Sequence, residues 1–302
     1  MTGQTIGIIG AGAIGQTVAA LLTHEPWCTQ VLVTTRTTER ARGLVTDLED
    51  MRQVAASPAR VQAATAADLF GSDALVICPR ATFTNTANRD VRMAGLAANA
   101  PLIAGLARTL TGYAGVAVMV TNPVDVLARL FARISGAATY GVGSATDTAR
   151  YRLTLAGHYR VPVETVDGYV IGEHGDHAVI CASSTTVAGE TAPVPLDLVR
   201  TELTARPRRI NQGIGRTRCG PAAAVPSALR HLTGYRDGTD VLSVNREGVW
   251  IGIRLRIRSG QPTVHPLVLD ERETAQFLAA RTKLNAAYQQ IQHHEQGEAL
   301  CR

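Results

Sequence analysis

The residues best suited to chemistry lie near the middle of the chain, where an aspartate, an arginine and a histidine follow one another. Asp147 and Arg150 are separated by about one helical turn, so a helix presents both side chains on one face. His174 follows in a glycine-flanked segment directly after an apolar strand. A histidine beside a buried carboxylate is a general acid or base, and an arginine can bind a carboxylate through two hydrogen bonds. These residues predict proton transfer beside a bound carboxylate group.

Two other interpretations of the same residues stay open at this point. In the first, His174 is a solvent-exposed loop residue, and Asp147 and Arg150 form a purely structural pair. In the second, His174, Asp176 and His177 bind a metal ion. The second is the weaker one, because ligands so close in sequence cannot easily converge on one ion and no further ligand is apparent. We therefore expect no metal site.

A glycine-rich segment near the start of the chain is the second feature with chemical meaning. An apolar run ends at Gly10, and a helical pattern follows directly. Gly10 lets the chain turn, Gly12 lets the backbone approach a pyrophosphate, and Gly15 lets the helix pack closely on the strand. Together with Ala13 and Ile14 they form a predicted dinucleotide-binding turn, whose helix offers free N–H groups to phosphates. A glycine turn without a ligand is the alternative.

The end of the second predicted strand bears on the choice of cofactor. An acidic residue at this position would bind the adenosine ribose hydroxyls and repel a 2′-phosphate. The chain instead has Thr35, Arg36 and Thr37, with Arg40 one turn later. Hydroxyls and guanidinium groups suit a phosphate dianion, so the sequence predicts NADP(H) in preference to NAD(H). The alternative is that the two arginines are solvent-exposed charges and that selectivity is weak.

Composition narrows the classes of partner. The 302 residues are 45 % hydrophobic but only 4 % aromatic, which suits helices packed closely on a parallel sheet. The net charge of +5 comes from scattered arginines without a basic block, so we expect attraction for small anions and no nucleic-acid binding. No apolar run is long enough to span a membrane. Five widely spaced cysteines and a first strand that leaves no room for a signal peptide predict a cytoplasmic protein.

The order of elements predicts an α/β fold in two parts. Up to Val142, short apolar strands alternate with helices, which is typical of a Rossmann doubly wound parallel sheet covered on both faces. After Gly143 the pattern becomes mixed α+β. We therefore predict a dinucleotide-binding domain over 1–143 and an α+β catalytic domain over 144–302, with a cleft between them. In the second half we expect one strand over 179–187, a helix over 196–218 and a last helix over 271–292.

Several motifs, in their order along the chain, resemble the L-lactate/malate dehydrogenase superfamily. The resemblance covers nearly the full length. The matching segments are 10–15, 43–48, 120–125, 147–152, 172–176 and 215–220.

The resemblance implies roles for the candidate residues. His174 matches the proton donor and acceptor, and Asp147 matches the carboxylate that orients it. Arg150 matches the arginine that pairs with the substrate carboxylate. Arg92 matches the mobile-loop arginine that polarises the substrate carbonyl. Without the resemblance, Arg92 would be interpreted as a surface residue of a helix.

Two further pocket residues follow from the same resemblance. Asn122 matches the asparagine that positions the nicotinamide and the reacting carbonyl, and Thr217 matches a residue of the substrate pocket. Without the resemblance, Thr217 would be interpreted as an ordinary helical threonine. The resemblance also implies a homodimer or a homotetramer. The activity it implies is hydride transfer between a nicotinamide and C2 of a 2-oxo or 2-hydroxy carboxylic acid.

The active-site loop, over 78–92, departs from the family. It is about three residues longer, and the position that separates lactate from malate enzymes falls near Asn85 or Thr86. Neither is the arginine typical of malate enzymes or the glutamine typical of lactate enzymes. Arg89 or Arg80 could substitute if the loop folds differently. We therefore expect an unusual 2-oxo acid as substrate.

Two alternatives to a 2-hydroxy acid dehydrogenase remain. One is a specialised ketone or imine reductase that acts on a modified 2-oxo acid in a biosynthetic pathway, since the same acid and hydride chemistry reduces C=N. The other is a catalytically silent nucleotide-binding protein. A silent site would have no need for Asp147, Arg150 and His174 together, so the enzyme is favoured.

Overall fold

The computed structural model of the chain describes residues 3–84 and 92–300. Its α-helices are α1 (Ala13–Leu22), α2 (Thr38–Val54), α3 (Leu96–Thr109), α4 (Val124–Ser135), α5 (Gly143–Tyr159), α6 (Leu196–Ile214), α7 (Cys219–Leu232) and α8 (Glu271–Leu300). Its strands are β1 (Gln4–Ile9), β2 (Cys28–Thr34), β3 (Arg60–Ala63), β4 (Ala74–Ile77), β5 (Val116–Met119), β6 (Ala138–Gly141), β7 (Val166–Asp167), β8 (Val170–Gly172), β9 (Ala178–Ile180), β10 (Thr186–Val187), β11 (Glu190–Thr191), β12 (Gly238–Arg246), β13 (Val249–Arg258) and β14 (Gln261–Val264).

The first half forms a parallel sheet in the order β3-β2-β1-β4-β5-β6. In this register Ile8 of β1 lies opposite Val33 on one side and Val76 on the other. The strand order reverses between β1 and β4, since the chain passes from β1 to β2 and β3 on one side and then returns to β4 on the other. At such a point the carboxyl ends of the strands border a crevice that can bind a ligand. The predicted Rossmann fold is confirmed.

The second half extends the same sheet with antiparallel strands. Ser243 of β12 pairs with Gly141 of β6, and β13, β8 and β9 follow in order. A separate small sheet contains β11, β10 and β7. The mixed α+β character of this half agrees with the sequence pattern. The division at 143/144 stays a prediction, although α5 begins at Gly143 and a shared sheet joins the two parts.

Burial explains why the central strands need no polar alternation. All four residues of β4 are buried, as expected for a parallel strand covered by helices on both faces. A smaller apolar cluster lies between α5 and α6 and includes Tyr151, Leu155 and Val199. Through this second cluster α6 packs on α5, the helix that carries Asp147 and Arg150.

Three predicted elements differ from the structure. The segment 179–187 is not one strand, because the chain turns between β9 and β10. The hydroxyl of Ser183 donates to the carbonyl oxygen of Val268, and that of Thr185 donates to the carbonyl oxygen of Cys181. Helix α6 ends at Ile214 rather than at 218, since Gly215 adopts a left-handed conformation with φ +79°. Helix α8 continues beyond 292 to Leu300 through residues that mostly favour helix.

Candidate active site

The glycine turn after β1 is shaped by close backbone contacts. Gly10 has φ +110°, and a Cβ placed there would lie 2.9 Å from the backbone nitrogen of Pro79. A Cβ on Gly15 would lie 1.9 Å from the carbonyl oxygen of Gly10. Gly12 differs, because a Cβ there would meet no protein atom within 4 Å. The first and third glycines are therefore required by the protein itself, while the second borders open space.

The same turn presents the N-terminus of α1. Ala13 and Ile14 form its first residues, and the N-cap Gly12 supplies no side-chain hydrogen bond. The first N–H groups of a helix have no intrahelical acceptor, so they suit an anionic ligand. Open space above Gly12 and free N–H groups beside it fit the pyrophosphate of a dinucleotide.

Cys78 lies directly beneath this turn, at the end of β4, and sequence reasoning assigned it no role there. Its thiol donates to the carbonyl oxygens of Ile9 and Gly10, each at 3.3 Å. Burial raises the pKa of the Cys78 thiol to about 12, so it packs as a neutral group. The sequence could not show this contact, because it depends on the pairing of β1 with β4.

The predicted selectivity residues lie together beyond the carboxyl end of β2. The hydroxyl of Thr35 donates to the carbonyl oxygen of Thr37 at 2.6 Å, which tightens the bend that leads into α2. Arg36 and Arg40 are exposed. Within the described part of the chain, neither arginine makes a hydrogen bond or an ion pair. Both guanidinium groups are therefore available to a ligand.

His174 and Asp147 form the centre of the second site. The Nδ1 atom of His174 lies 2.6 Å from Oδ2 of Asp147, and both side chains are almost completely buried. The Nε2 atom of His174 accepts a hydrogen bond from Nε of Arg92 at 3.1 Å. An imidazole that accepts at Nε2 carries its proton on Nδ1 and donates it to Asp147. The pair is therefore oriented with Nε2 toward Arg92.

Charge and burial set the ionisation of this pair. Burial lowers the pKa of His174 below its ordinary value, and the positive charge of Arg92 lowers it further, against the opposing effect of Asp147. Burial alone would raise the pKa of Asp147, but His174, Arg92 and Arg150 hold it well below its usual range. The carboxylate is therefore ionised, and the imidazole is neutral until a ligand changes its surroundings.

Arg150 completes the group around Asp147. Its Nη1 atom lies 3.2 Å from Oδ1 of Asp147, and Nη2 of Arg92 lies 3.6 Å from the same oxygen. The Arg150 side chain is 9 % exposed. One carboxylate thus holds two guanidinium groups and an imidazole in place, which leaves a local excess of positive charge for an anionic ligand.

Three elements hold the His174 ring. Its backbone N–H donates to Oδ2 of Asp125, in the first turn of α4, at 2.9 Å. A Cβ on Gly143, the first residue of α5, would lie 2.3 Å from the ring. Gly172 ends β8 with φ +85°, which lets the chain turn toward the site. The ring therefore has little freedom to move.

Asn122 lies at the edge of the same crevice, after β5. It is exposed and precedes a cis peptide bond to Pro123. Its carbonyl oxygen accepts a hydrogen bond from Nδ2 of the buried Asn99 at 2.9 Å, and Oδ1 of Asn99 accepts one from the N–H of Ala81 at 2.8 Å. Asn99 therefore ties the start of the active-site loop to the segment that carries Asn122.

Residues 4–144 match the family model for the NAD-binding domain of lactate/malate dehydrogenase. The first half of the chain therefore resembles the dinucleotide-binding domain of the lactate/malate dehydrogenase superfamily. The match supports a nicotinamide dinucleotide as the cofactor class.

Two curated relatives and one solved structure illustrate the likeness. The chain is 32 % identical to the L-lactate dehydrogenase of Treponema denticola over 62 % of its own length and 59 % of that protein, less than two thirds of it. It is 28 % identical to the L-lactate dehydrogenase of Halalkalibacterium halodurans over 91 % and 93 % of the two chains. The ligand-bound minor L-lactate dehydrogenase of Enterococcus mundtii shares the fold, with a TM-score of 0.89, 20 % identity and coverage of 96 % and 99 %.

The structure describes only part of the remaining pocket candidates. Thr217 is half-buried in the loop between α6 and α7, not in a helix. A Cβ on Gly220, in the first turn of α7, would lie 3.7 Å from Cγ2 of Thr146. This contact brings the Thr217 loop beside α5. Asn85, Thr86 and Arg89 lie outside the described residues.

Arg80, the other arginine considered for the loop, is exposed and stacks on an aromatic ring. Its guanidinium carbon lies 4.5 Å from the centroid of Phe83. The Phe83 ring in turn occupies the space where a Cβ on Gly95 would lie, at 2.7 Å. Arg80 thus covers the start of the loop in this structure.

A buried ion pair supports the segment around His174 and was missed by sequence reasoning. The Nζ atom of Lys283, the single lysine of the chain, lies 2.7 Å from Oε1 of Glu173. Oε2 of Glu173 accepts a hydrogen bond from the N–H of His177 at 3.0 Å. The pair ties α8 to the turn that follows β8. A lone lysine in a chain rich in arginine was the available signal.

The described residues contain no group of three or more metal-binding side chains that could hold an ion. In this part of the chain, no helix combines the length and the apolar character needed to cross a membrane.

Proposed function

We propose that this chain is an NADP(H)-dependent oxidoreductase that transfers hydride between the nicotinamide and C2 of a 2-oxo or 2-hydroxy carboxylic acid. The observation that carries the proposal is the 2.6 Å contact between His174 and the buried Asp147, with Arg150 and Arg92 on the same carboxylate. Proton transfer and carboxylate binding are the two tasks that such a reaction asks of the protein.

His174 serves as the proton donor in reduction. When the Nε2 atom is protonated, the imidazolium is stabilised by Asp147 and can give its proton to the oxygen at C2. Arg92 must release Nε2 for this step, because its Nε atom donates to Nε2 at 3.1 Å. A carbonyl oxygen that takes the place of Nε2 as the acceptor for Arg92 would receive charge stabilisation as it becomes negative.

Arg150 binds and orients the acid group. Its guanidinium is held by Asp147 at 3.2 Å and can still offer N–H groups to a second carboxylate. Fixing the acid group beside His174 places C2 and its oxygen in a defined position, which converts binding energy into orientation. The dinucleotide, when bound, supplies or accepts the hydride.

The preference for NADP(H) is part of the proposal. Support comes from Arg36 and Arg40, two exposed cations beyond the end of β2 that have no partner in the described part of the chain, and from the hydroxyls of Thr35 and Thr37. We expect Arg36→Gln to lower the ratio of kcat/KM for NADPH over NADH by about tenfold, the loss expected for one charge-assisted hydrogen bond. The exposed Arg42→Gln on α2 is the matched control and should leave the ratio unchanged.

We further propose a homodimer or homotetramer in the cytoplasm. The superfamily resemblance supports the assembly, and Cys28, Cys78, Cys181 and Cys219 are free thiols, as in a reducing compartment. Light scattering coupled to gel filtration measures the assembly directly. A monomer at micromolar concentration would contradict this part of the proposal.

The decisive experiment for the activity is NADPH oxidation by the purified chain with a panel of 2-oxo acids and the corresponding imines. His174→Asn should lower kcat by about 10²–10⁴-fold, since general acid catalysis typically contributes that much. The matched control is His177→Asn in the same turn, whose side chain is 45 % exposed. Turnover that survives His174→Asn would remove the proposed acid, and no turnover with any substrate would favour a silent nucleotide-binding protein.

A further inference from the structure

We propose that Arg206 on α6 is a substrate-recognition residue that binds a second carboxylate at the far end of the substrate. The substrate class is then a 2-oxo dicarboxylic acid. Its second carboxylate is bound by a residue of the second half of the chain rather than by the active-site loop. This inference rests on the proposed function.

The first support is the face of α6 on which Arg206 lies. Val199 is fully buried and Leu203 is half-buried, and both pack in the cluster formed with Tyr151 and Leu155 of α5. Arg206 comes about one turn after Leu203 and therefore continues the same stripe. Its half-buried state agrees with a position on the face turned toward α5.

The second support is the direction of this stripe. The start of α6 packs near the C-terminal half of α5, since Val199 shares its cluster with Leu155 and Ala156. The chain that follows α6 reaches the N-terminal half of α5, where Gly220 lies against Thr146. The two helices thus run antiparallel, and Arg206 lies further toward the catalytic end of α5 than Leu203.

Electrostatics agree with this placement. Burial lowers the pKa of Arg150 below its ordinary value, while Asp147 opposes the shift. The positive charges of Arg92 and Arg206 lower it further. The positive charge of Arg206 therefore acts on Arg150, as expected for a residue on the face of α6 that packs on α5.

The charge of Arg206 is only partly balanced, by Glu202, whose pKa is lowered mainly by the hydrogen bonds from Arg209 and also by the positive charges of Arg209 and Arg206. Glu202, one turn earlier on α6, is held by two hydrogen bonds from Arg209, at 2.7 and 3.1 Å. Arg206 itself makes no hydrogen bond or ion pair with any residue that the structure describes. A half-buried cation that faces a second cation is unfavourable unless an anion binds there.

The guanidinium of Arg206 indicates which kind of anion would bind there. Arg150 is placed to take the carboxylate next to C2, so Arg206 remains for a group further along the substrate. One guanidinium offers two parallel N–H groups, which match a carboxylate with a single negative charge. The charge at the two ends of the substrate would then relieve the repulsion between Arg150 and Arg206.

The test compares substrates of matched length. Oxaloacetate, 2-oxoglutarate and 2-oxoadipate are each paired with a straight-chain monocarboxylic 2-oxo acid, and kcat/KM is measured with NADPH on the full chain. We expect the unmodified chain to prefer at least one dicarboxylate by tenfold or more. Arg206→Gln should lower kcat/KM for that dicarboxylate by about 10–100-fold, mainly through KM, and leave the monocarboxylates within about twofold.

Two further variants separate recognition from structure. Arg206→Lys keeps the charge and should retain part of the preference. Arg208→Gln removes one positive charge from an exposed position on the other side of α6 and should change nothing. If Arg206 acts only through Glu202, its substitution would lower the melting temperature and affect both substrate classes equally, which would overturn the inference.

A binding measurement keeps this inference separate from the proposed function. In the presence of NADP, 2-oxoglutarate and 2-oxopentanoate are compared by the shift in melting temperature of the unmodified chain and of Arg206→Gln. Dicarboxylate binding that depends on Arg206, without turnover, would support the second anion site and contradict the oxidoreductase. Turnover or binding without any dicarboxylate preference would overturn the role of Arg206 and leave the oxidoreductase intact.

Discussion

The glycine turn and the His174 site differ in how far apart in sequence their decisive contacts lie. In the turn, Gly15 lies against the carbonyl oxygen of Gly10 within one loop, although Gly10 also lies against the backbone of Pro79. In the site, His174 contacts Asp147, Asp125 and Arg92, residues separated from it by 27, 49 and 82 positions. The first region is therefore shaped by backbone sterics, most of them local, and the second by side chains that only the folded sheet brings together.

The two regions also differ in charge and exposure. The turn offers backbone N–H groups and open space above Gly12. The His174 site is buried and charged, with Asp147 at its centre. Backbone geometry of this kind suits a pyrophosphate, while a buried group of charges is sensitive to each of its members. This contrast leads to different expected effects of substitution.

Asp147→Asn should give the largest loss. It removes the carboxylate that holds His174, Arg150 and Arg92, so we expect kcat to fall by about 10³–10⁴-fold and stability to fall by about 3–5 kcal/mol. Steady-state kinetics and thermal unfolding measure the two effects. Asp176→Asn, exposed in the turn after His174, is the control and should behave as the unmodified chain. Equal effects of both substitutions would show that the buried charge has no special role.

Arg92→Gln should come next and has a signature in pH. Because the positive charge of Arg92 lowers the pKa of His174, its removal raises that pKa. Reduction needs the protonated imidazole, so the pH at which the rate falls should move upward while kcat drops by about 10²–10³-fold. The pH profile of kcat/KM measures the shift. The exposed Arg133→Gln on α4 should leave the profile in place. A shift toward lower pH would contradict the contact.

The substitutions Gly15→Ala and Gly12→Ala should have different effects within the glycine turn. A Cβ on Gly15 meets the Gly10 carbonyl at 1.9 Å, so Gly15→Ala should lower both the melting temperature and dinucleotide affinity. Gly12 has φ −79° and open space, so Gly12→Ala should keep the melting temperature and weaken dinucleotide binding by about tenfold or more. Calorimetric titration and thermal unfolding separate the two. A stable Gly12→Ala variant with unchanged affinity would place the pyrophosphate elsewhere.

Asp125→Asn should have the smallest effect on activity and a measurable effect on the pH dependence of stability. Burial raises the pKa of Asp125 from 3.8 to about 7, against the opposing hydrogen bond from the His174 N–H. A raised pKa gives stability that is present below 3.8 and is lost as the pH rises through about 7. The melting temperature of Asp125→Asn should therefore change less over this pH range than that of the unmodified chain. Each kcal/mol of unfolding free energy that no longer depends on pH corresponds to about 2–4 °C. An identical pH dependence in both proteins would exclude an ionising Asp125.

Most of the first half of the fold could be predicted because its signals are periodic and local. Apolar runs identified β1, β2 and β4, and the alternation with helices identified a parallel sheet. The second half was harder, because short strands such as β9 and β10 end through hydroxyl contacts at Ser183 and Thr185 that have no periodic signal. The continuation of one sheet through the β6 and β12 pair involves strands far apart in sequence, which a local pattern does not encode.

The amino-acid sequence by itself determined the glycine turn, the helix that carries Asp147 and Arg150, and the glycine-flanked histidine, since each depends on residues within a few turns of chain. The tertiary structure alone decided that Arg92 donates to Nε2 of His174, that Glu173 pairs with Lys283, and that α6 packs on the helix that carries Arg150. The physical reason is distance along the chain. Contacts between remote residues depend on how helices and strands pack, and packing is a property of the whole core.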